Sequence, residues 1–266
     1  MLIKKLILKS FAILVVGMAC MSSTTQAQLD PAVKEIIEKH VKALGGKEKL
    51  ASVKSLVMKG DMEIAGLGKA DMSTTQSNKK VLAVINLPGM GEMRQGSDGT
   101  NAWIVSPFQG AMLLDGGMKE RINSQATSMF PALLWLDGYK GKIEVEGDAD
   151  VNGKACHKLT FKSEAGEEST SYFDKHSGLM VKTESVTDSP NGEMEITQYS
   201  DDYKEVNGIM VAHKQTTEMP QGEMVLVVSE VKMNEDIPES TFELPDEIKE
   251  LVKNAKSESK EKSSDK

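Results

Sequence analysis

Apolar and polar residues alternate with a period of two along most of the chain. Alternation of this kind predicts β-strands that have one buried and one exposed face. The alternating segments form two runs, one from residue 56 to residue 114 and one from residue 142 to residue 233. Asn152-Gly153 and Asn207-Gly208 lie between alternating segments, as does Asn191-Gly192, and Asn-Gly in that position is typical of a tight hairpin. The pattern therefore predicts an antiparallel meander.

One apolar segment between the two runs breaks this pattern. Met129–Leu136 contains Pro131, which a central strand excludes but which the first turn of a helix accepts. Thr127 or Ser128 can cap that turn, and Gly138 can end the helix in the left-handed conformation. We therefore predict a short helical insert, which acts as a lid over the apolar face of the sheet.

Helical spacing also marks both ends of the folded part. Asp30 and Pro31 open a predicted helix as N-cap and first-turn proline, and apolar residues follow at helical spacing until Gly45-Gly46. Residues 246–266 predict a short helix and then a charged tail. That tail contains only Lys, Glu, Ser and Asp from residue 257 onward, so we expect it to be disordered.

The N-terminal segment 1–27 has the character of an export signal. A basic start precedes an apolar stretch that is too short to span a bilayer, and small residues follow at the expected cleavage position. We therefore predict a signal peptide over residues 1–27, a single domain over residues 28–245 and the terminal segment 246–266. The expected location is the periplasm. Cys20 follows Ala19 at the end of the apolar stretch, so a lipid anchor through Cys20 is the alternative.

The sequence offers no arrangement typical of catalysis. The chain has a net charge of −8 and no basic stripe, which argues against nucleic-acid binding. It contains no nucleophile elbow, phosphate loop or nucleotide fingerprint. Adjacent strand residues point to opposite faces, so Cys156 and His157 do not form a catalytic pair. No histidine has a partner at a spacing typical of zinc motifs. We expect a monomer without enzyme activity, metal or cofactor.

Methionine is unusually frequent, with 17 residues in the chain. Its flexible, polarizable side chain fits irregular or variable apolar partners. Two interpretations remain open at this point. The methionines fill an ordinary core, or they form a soft pocket for alkyl chains.

Several motifs, taken in order, resemble one family of periplasmic lipoprotein carriers. Ser97–Trp103 followed by Pro107-Phe108 is similar to the central hairpin of the LolA-like outer membrane lipoprotein-sorting proteins. Ile237–Pro245 resembles their closing signature, a Phe shortly before a Pro. Gly45-Gly46 and Lys54–Gly60 resemble their passage from helix to first strand. The resemblance covers residues 31–245.

The resemblance implies a mainly β fold with an α lid. In this family a half-open antiparallel β-barrel, of about 11 strands here, is covered by the N-terminal helix and by a mid-chain helical insert. The resemblance also implies a carrier that sequesters the acyl chains of lipoproteins or lipids in an apolar trough. Such a carrier receives its cargo from an inner-membrane release complex and passes it to an outer-membrane receptor.

The predicted lipid contacts lie on the insert and on the sheet. A register error of one residue would reverse the facing of every sheet residue. The predicted contacts are Met129, Phe130, Leu133, Leu134 and Trp135 on the insert, and Val57, Val84, Trp103 and Val105 on the sheet.

One departure from the family concerns the lid. The family's carriers have an Arg-Pro pair in an early strand, and that Arg helps to latch the lid. This chain has Lys79-Lys80 there, and lysine lacks the planar, multi-donor guanidinium. The way in which the lid is held is therefore open. The fold also resembles the lipoprotein-sensing domain of RseB, so a sensory or interaction module that binds mislocalised lipoprotein or a partner protein is the alternative function.

Overall fold

The computed structural model describes residues 29–264 except 138, 165, 190 and 191. The predicted signal peptide, Cys20, the predicted helix end at Gly138 and the turn residue Asn191 lie outside the described residues. No helix in the described part is long and apolar enough to cross a membrane.

One antiparallel sheet forms the body of the molecule. Its strand order is β6-β5-β4-β3-β2-β1-β13-β12-β11-β10-β9-β8-β7, so the first and last strands of the chain lie side by side at its centre. Strands β6 and β7 form the two edges, and the sheet does not close into a barrel. The 13 strands among the described residues are β1 (Ser55–Ile64), β2 (Gly68–Ser77), β3 (Lys80–Leu87), β4 (Gly91–Ser97), β5 (Ala102–Ser106), β6 (Gly110–Leu114), β7 (Gly141–Val151), β8 (Lys154–Ser163), β9 (Glu168–Asp174), β10 (Met180–Ser189), β11 (Gly192–Val206), β12 (Ile209–Met219) and β13 (Gly222–Met233).

This architecture confirms the predicted half-open barrel and its meander. The sheet has 13 strands rather than about 11, because nearly every alternating segment forms a strand of its own. Asn152 and Gly153 both have positive φ angles, of 52° and 81°, and so do Asn207 and Gly208, of 53° and 78°. Two residues with positive φ form the hairpin turn that matches the twist of the strands, so both of these predicted turns are confirmed.

The helices occupy fixed places around the sheet. They are α1 (Pro31–Leu44), α2 (Lys47–Ser52), α3 (Gly116–Thr127), α4 (Pro131–Asp137) and α5 (Asp246–Ser264), with a 3₁₀ turn over Glu239–Phe242. Asp30 caps α1 as predicted, because its carboxylate accepts a 2.8 Å hydrogen bond from the backbone N–H of Ala32. The hydroxyl of Ser128, a predicted cap of α4, donates instead to the carbonyl of Phe130 at 2.9 Å.

The largest apolar core lies between α1, α4 and the concave face of the sheet. Helix α1 buries Val33, Ile37 and Val41 on one face, and α4 buries Ala132 beside them. The sheet supplies Leu159, Phe161 and Phe173 from β8 and β9, together with Ile209 from β12. The predicted helices thus cover the concave face at the end formed by β7–β12. Helix α3 covers the other end, with Ile122 and Ala126 packed against Val81 and Ala102.

The C-terminal segment forms a longer helix than predicted. Helix α5 runs from Asp246 to Ser264, through most of the segment that was expected to lack structure. Lys, Glu and Ser cannot supply a core of their own, which favours disorder. Lys and Glu are nevertheless good helix formers, so a solvated helix can continue from a docked first turn. That first part is docked through Ile248, which is fully buried.

Candidate functional site

A cavity of about 380 Å³ lies between helix α4 and the concave face of the sheet. Its size falls within the range of about 300–1,000 Å³ typical of small-molecule sites. The helical wall and the sheet wall differ in chemistry. The helices and their linkers contribute His40, Leu44, Met129, Phe130, Pro131, Ala132, Trp135 and Tyr139. The sheet contributes Leu56, Met58, Gln76, Phe161, Ser169, Ser171, Met180, Thr183, Gln198, Ser200, Tyr203, Met210, Val211, Ala212 and Gln215.

Aromatic contacts centred on Trp135 hold the helical wall against the sheet. The Trp135 ring lies 4.8 Å from that of Phe161 and 6.0 Å from that of Phe173, centroid to centroid. The His40 ring stacks on Trp135 at 6.0 Å and meets Phe173 edge-on at 5.0 Å. The Tyr139 ring lies edge-on to Phe161 at 5.8 Å. Helices α1 and α4 and strands β8 and β9 therefore meet at one aromatic cluster.

The buried imidazole of His40 is uncharged at neutral pH. Burial lowers the pKa of His40 from 6.5 to about 4, and the hydrogen bond to the carbonyl of Gly178 opposes that shift. Nδ1 lies 2.9 Å from that carbonyl oxygen, so Nδ1 carries the proton and donates it. The bond ties α1 to the turn between β9 and β10, and the neutral ring can pack against Trp135 at little electrostatic cost.

Four methionines line the cavity, namely Met58, Met129, Met180 and Met210. They come from three strands and the start of the insert, so they surround the space rather than stack in one place. This arrangement supports the second of the two interpretations of the methionine content, a deformable apolar wall.

The sheet wall carries a second feature that the sequence analysis missed. Six uncharged polar residues face the cavity from four neighbouring strands, and we call them the hydroxyl–amide strip. They occupy alternate strand positions, and that spacing is the sequence signal that places them on one face. The strip consists of Ser169 and Ser171 on β9, Thr183 on β10, Gln198 and Ser200 on β11, and Gln215 on β12.

The predicted contacts on the insert divide into two groups. Met129, Phe130 and Trp135 line the cavity. Leu133 packs instead against the core around α1. Leu134 is half-buried and is not one of the described residues that line the cavity. A seven-residue helix cannot direct every apolar side chain to one side, since successive residues are 100° apart.

The predicted contacts on the sheet lie on its convex face, which corrects their expected place in the trough. Leu56 and Met58 line the cavity, so Val57 between them points away from it. Residues directly opposite on neighbouring strands share a face. Pairing places Val57 in register with Thr75, Leu82, Gly96 and Trp103. Val84 and Val105 lie two residues further along the same face, where each is paired with Arg94 on the strand between them. The register error of one residue reversed all four.

Lys80 binds the C-terminal segment and not the lid. Its ammonium forms an ion pair with Glu239, whose carboxylate also accepts a hydrogen bond from Asn78. Arg94, likewise on the convex face, pairs with Glu247 at 3.5 Å. The 3₁₀ turn and α5 are thus attached to the convex face of β3–β6, where Trp103 is buried. Lys79 has a positive φ of 61° in the turn before β3.

Other contacts hold the lid. Lys47 at the start of α2 forms an ion pair with Asp137 at the end of α4. Helix α3 is attached through Gln76, whose amide donates to the carbonyl of Gln125 at 2.6 Å, and through Ser97, whose hydroxyl donates to Asn123 at 2.7 Å. Lys47 and Asp137 are both exposed, so their ion pair contributes little to holding α4. The aromatic cluster around Trp135 is therefore the main attachment of α4.

The described residues contain no group of three or more His, Cys, Asp or Glu side chains that could hold a metal ion. Cys156 is buried, and burial raises the pKa of its thiol, which makes it unreactive. His157 lies 3.5 Å from Asp148, on the other side of its strand from Cys156.

Comparison of the structure with solved structures identifies its fold. A DUF1329 family protein from Desulfovibrio piger matches with a TM-score of 0.55 and 12% identity, over 79% of this chain and 97% of that chain. A LolA superfamily protein from Nitrosomonas europaea matches with a TM-score of 0.54 and 12% identity, over 79% and 97%. The chain has a LolA-like fold.

A third structure agrees with this assignment. It is a domain assigned provisionally to outer membrane lipoprotein sorting, from Vibrio parahaemolyticus, with a TM-score of 0.53 and 14% identity over 79% of this chain and 95% of that chain. No protein-family model and no curated protein matches the sequence. At these identities the likeness concerns the LolA-like fold itself, a half-barrel with a helical cover.

Proposed function

We propose that this protein binds the acyl chains of lipoproteins or lipids in the cavity beneath α4 and carries them between membranes. The observation that carries the proposal is the cavity itself, bounded by an apolar helical wall and lined by four methionines. The sheet is left open between β6 and β7. The LolA-like fold supports the same proposal.

The lid can exchange its own contacts for those of a ligand. Met129, Phe130 and Trp135 are only half-buried, so each retains surface that an acyl chain can cover. Each methylene of that chain contributes about 0.8 kcal/mol when it leaves water. A few methylenes therefore offset the contacts that α4 loses when it moves. Such a balance allows loading and release without an energy source.

The carrier acts in the periplasm as a monomer. It takes acylated cargo from an inner-membrane release complex and delivers it to a receptor on the outer membrane. We propose that cargo recognition is non-catalytic, since the described residues that line the cavity include no nucleophile paired with a neighbouring base. The described residues that line the cavity lie between His40 and Gln215, within the domain that we propose over residues 28–245.

Co-purification tests the proposal. The whole chain is expressed in a bacterium with two membranes, the exported protein is isolated without detergent, and bound lipid is extracted and identified by mass spectrometry. We expect acyl lipid or acylated peptide in stoichiometric amount. Absence of co-purified lipid together with no binding of an added diacylated peptide would overturn the proposal. Retention of a membrane partner protein by such a lipid-free chain would favour the sensory module instead.

A matched pair of variants locates the binding site. Phe130→Asp places a charge on the cavity wall, whereas Phe108→Asp makes the same change in an exposed turn, where Phe108 is 59% exposed. We expect Phe130→Asp to reduce bound lipid by about tenfold or more, because a buried unpaired carboxylate is costly. Phe108→Asp should bind like the parent. Equal lipid content in the two variants would show that binding occurs elsewhere.

A further inference from the structure

The hydroxyl–amide strip forms the polar part of the sheet wall of the cavity, beside apolar residues such as Met180 and Met210. Pairing between strands places Ser171, Thr183 and Gln198 side by side, and Ser200 lies opposite Gln215 on the next pair. The strip is therefore one continuous surface across four strands. Opposite it lies the apolar wall formed by Met129, Phe130 and Trp135 of the insert.

The strip is held in place by bonds between its own members. The amide of Gln198 donates to the side-chain oxygen of Gln215 at 3.0 Å, and the hydroxyls of Ser171 and Thr183 are 3.3 Å apart. A carboxamide can form four hydrogen bonds and a hydroxyl three. The Thr183 hydroxyl also donates to the sulfur of Met180 at 3.4 Å, so Ser171 is the donor in its pair, and unused donors remain on the two glutamine amides. The strip therefore offers both donors and acceptors to a ligand from fixed positions.

Charged side chains are directed away from this wall. Lys182 and Glu184 flank Thr183 on β10 and point to the convex face. There the Lys182 ammonium lies 5.0 Å from the ring centroid of Tyr172, and Tyr172 donates a 2.6 Å hydrogen bond to Glu184. Lys214 beside Gln215 is exposed as well. The strands thus contain many charges, and the alternation excludes them from the cavity.

The cavity wall is uncharged at neutral pH. No Lys, Arg, Asp or Glu occurs among the described residues that line it. Burial keeps His40 neutral by lowering its pKa to about 4. Burial also raises the pKa of Tyr203 to about 12, and burial and the Glu167 carboxylate raise that of Tyr139. A charged group that entered this space would lose its hydration and meet no opposite charge.

We propose that the ligand is a neutral amphiphile, whose acyl chain contacts the insert while its ester, amide or hydroxyl groups hydrogen-bond to the hydroxyl–amide strip. This inference rests on the proposed function and adds the class of polar group that accompanies the acyl chain. An acylglyceryl group has this chemistry, whether it is part of a lipoprotein or of a free lipid. A fatty acid anion or a cationic amphiphile lacks it.

Calorimetric titration of the whole chain with single-chain amphiphiles tests the inference. Monododecanoylglycerol, dodecanoate and dodecyltrimethylammonium share an alkyl chain and differ in the head, and each is used below its micelle concentration. We expect the neutral glycerol ester to bind about tenfold more tightly than either charged compound. A peptide that bears a neutral acylglyceryl group forms a further arm. Tighter binding of that peptide than of the glycerol ester identifies a lipoprotein source, and the reverse identifies a free lipid.

Two double variants assign the preference to the strip. Ser171→Ala with Thr183→Val removes both partners of one hydrogen bond, and Gln198→Met with Gln215→Met removes both partners of the other. Removal of both partners avoids an unsatisfied buried group, so folding is preserved. Each should reduce the preference for the neutral head to about threefold or less. Thr75→Val on the convex face is the matched control and should keep the preference.

The outcomes separate this inference from the proposed function. Equal binding of all three heads, or tighter binding of a charged head, overturns the role of the strip and leaves acyl-chain binding intact. Loss of the preference in Thr75→Val would also overturn it. Failure of all three compounds and of the acylated peptide to bind overturns the proposed function itself.

Discussion

The ring of Trp135 on the lid helix lies 4.8 Å from the ring of Phe161 on strand β8 and is tilted by 42° to it. This contact joins a half-buried residue of a seven-residue helix to a buried residue of the sheet. A helix of that length has little stability of its own in water, so its position depends on such contacts.

Replacement of Trp135 by alanine should therefore detach the lid. We expect the free energy of unfolding to fall by about 1–3 kcal/mol, less than for a fully buried tryptophan. Urea denaturation followed by circular dichroism measures the change. Phe108→Ala serves as the control, because an exposed aromatic should change stability by no more than about 0.5 kcal/mol. An unchanged midpoint for Trp135→Ala would show that the lid is held by other contacts.

His40 should make stability depend on acid. The folded pKa of about 4 lies below the ordinary 6.5, so the unfolded chain binds the proton more readily. Stability should be full above pH 6.5, fall as the pH drops through the range between the two pKa values, and show no further loss from His40 below about 4. The loss amounts to about 3 kcal/mol.

The measurement is the unfolding free energy as a function of pH. His40→Gln keeps a donor for the Gly178 carbonyl and removes the titration, so its profile should be flatter by most of that amount. Phe108→Ala, which removes an exposed side chain that does not titrate, should retain the parent's profile. If the parent and His40→Gln lost stability in parallel as the pH falls, the acid dependence could not be assigned to His40.

A side chain at Gly178 should destabilise the fold, because α1 lies against this turn. It has a φ of 77°, and a Cβ there would lie 3.1 Å from the carbonyl oxygen of Lys39 and 3.3 Å from the Cβ of Ala43. Gly153 has a similar φ of 81° but nothing within 4 Å of an added Cβ. Both alanine variants bear the cost of the left-handed conformation, about 1 kcal/mol.

The difference between the two variants isolates the steric contact. We expect Gly178→Ala to lower the thermal midpoint by several degrees more than Gly153→Ala does, since helix α1 must shift. Differential scanning calorimetry provides both midpoints. Equal midpoints would mean that α1 is less closely packed on this turn than the distances indicate.

Ile248 should be needed to keep helix α5 on the convex face of the sheet. It is fully buried in the first turn of α5, so Ile248→Ala should cost about 2–4 kcal/mol through the cavity it leaves. Glu250→Ala, on an exposed residue of the same helix, is the control. In a Trp135→Phe background the emission reports on Trp103, and we expect a red shift only for Ile248→Ala. An unshifted spectrum would show that other residues shield Trp103.

Alternation and turn residues were sufficient to predict most of the sheet. Asn152-Gly153 and Asn207-Gly208 adopt the expected positive φ angles, and Pro131 begins a helix as its chemistry requires. These features depend on the conformational preferences of individual residues, which can be read directly from the sequence. Helix α5 is longer than predicted, because its docking through the buried Ile248 is not a local property.

The candidate site was predicted only in part, because the facing of a strand also depends on contacts that are distant in the sequence. Alternation establishes that Val57 and Met58 face opposite ways, but it does not say which one faces the helices. Both are apolar and both are half-buried, so hydrophobicity could not decide. The polar wall of Thr183 and Gln198 was missed because solvent-facing strand positions have the same composition.

The pairing of β1 with β13 fixes when the molecule can assemble during its synthesis. The hydroxyl of Ser229 bonds the carbonyl of Lys59 across 170 residues of sequence. Among the described strands, β13 is the one that joins the half formed by β1–β6 to the half formed by β7–β12. A ribosome-bound chain therefore lacks the strand that unites its two halves until almost all of it has been made, and long-range pairing of this kind forms slowly.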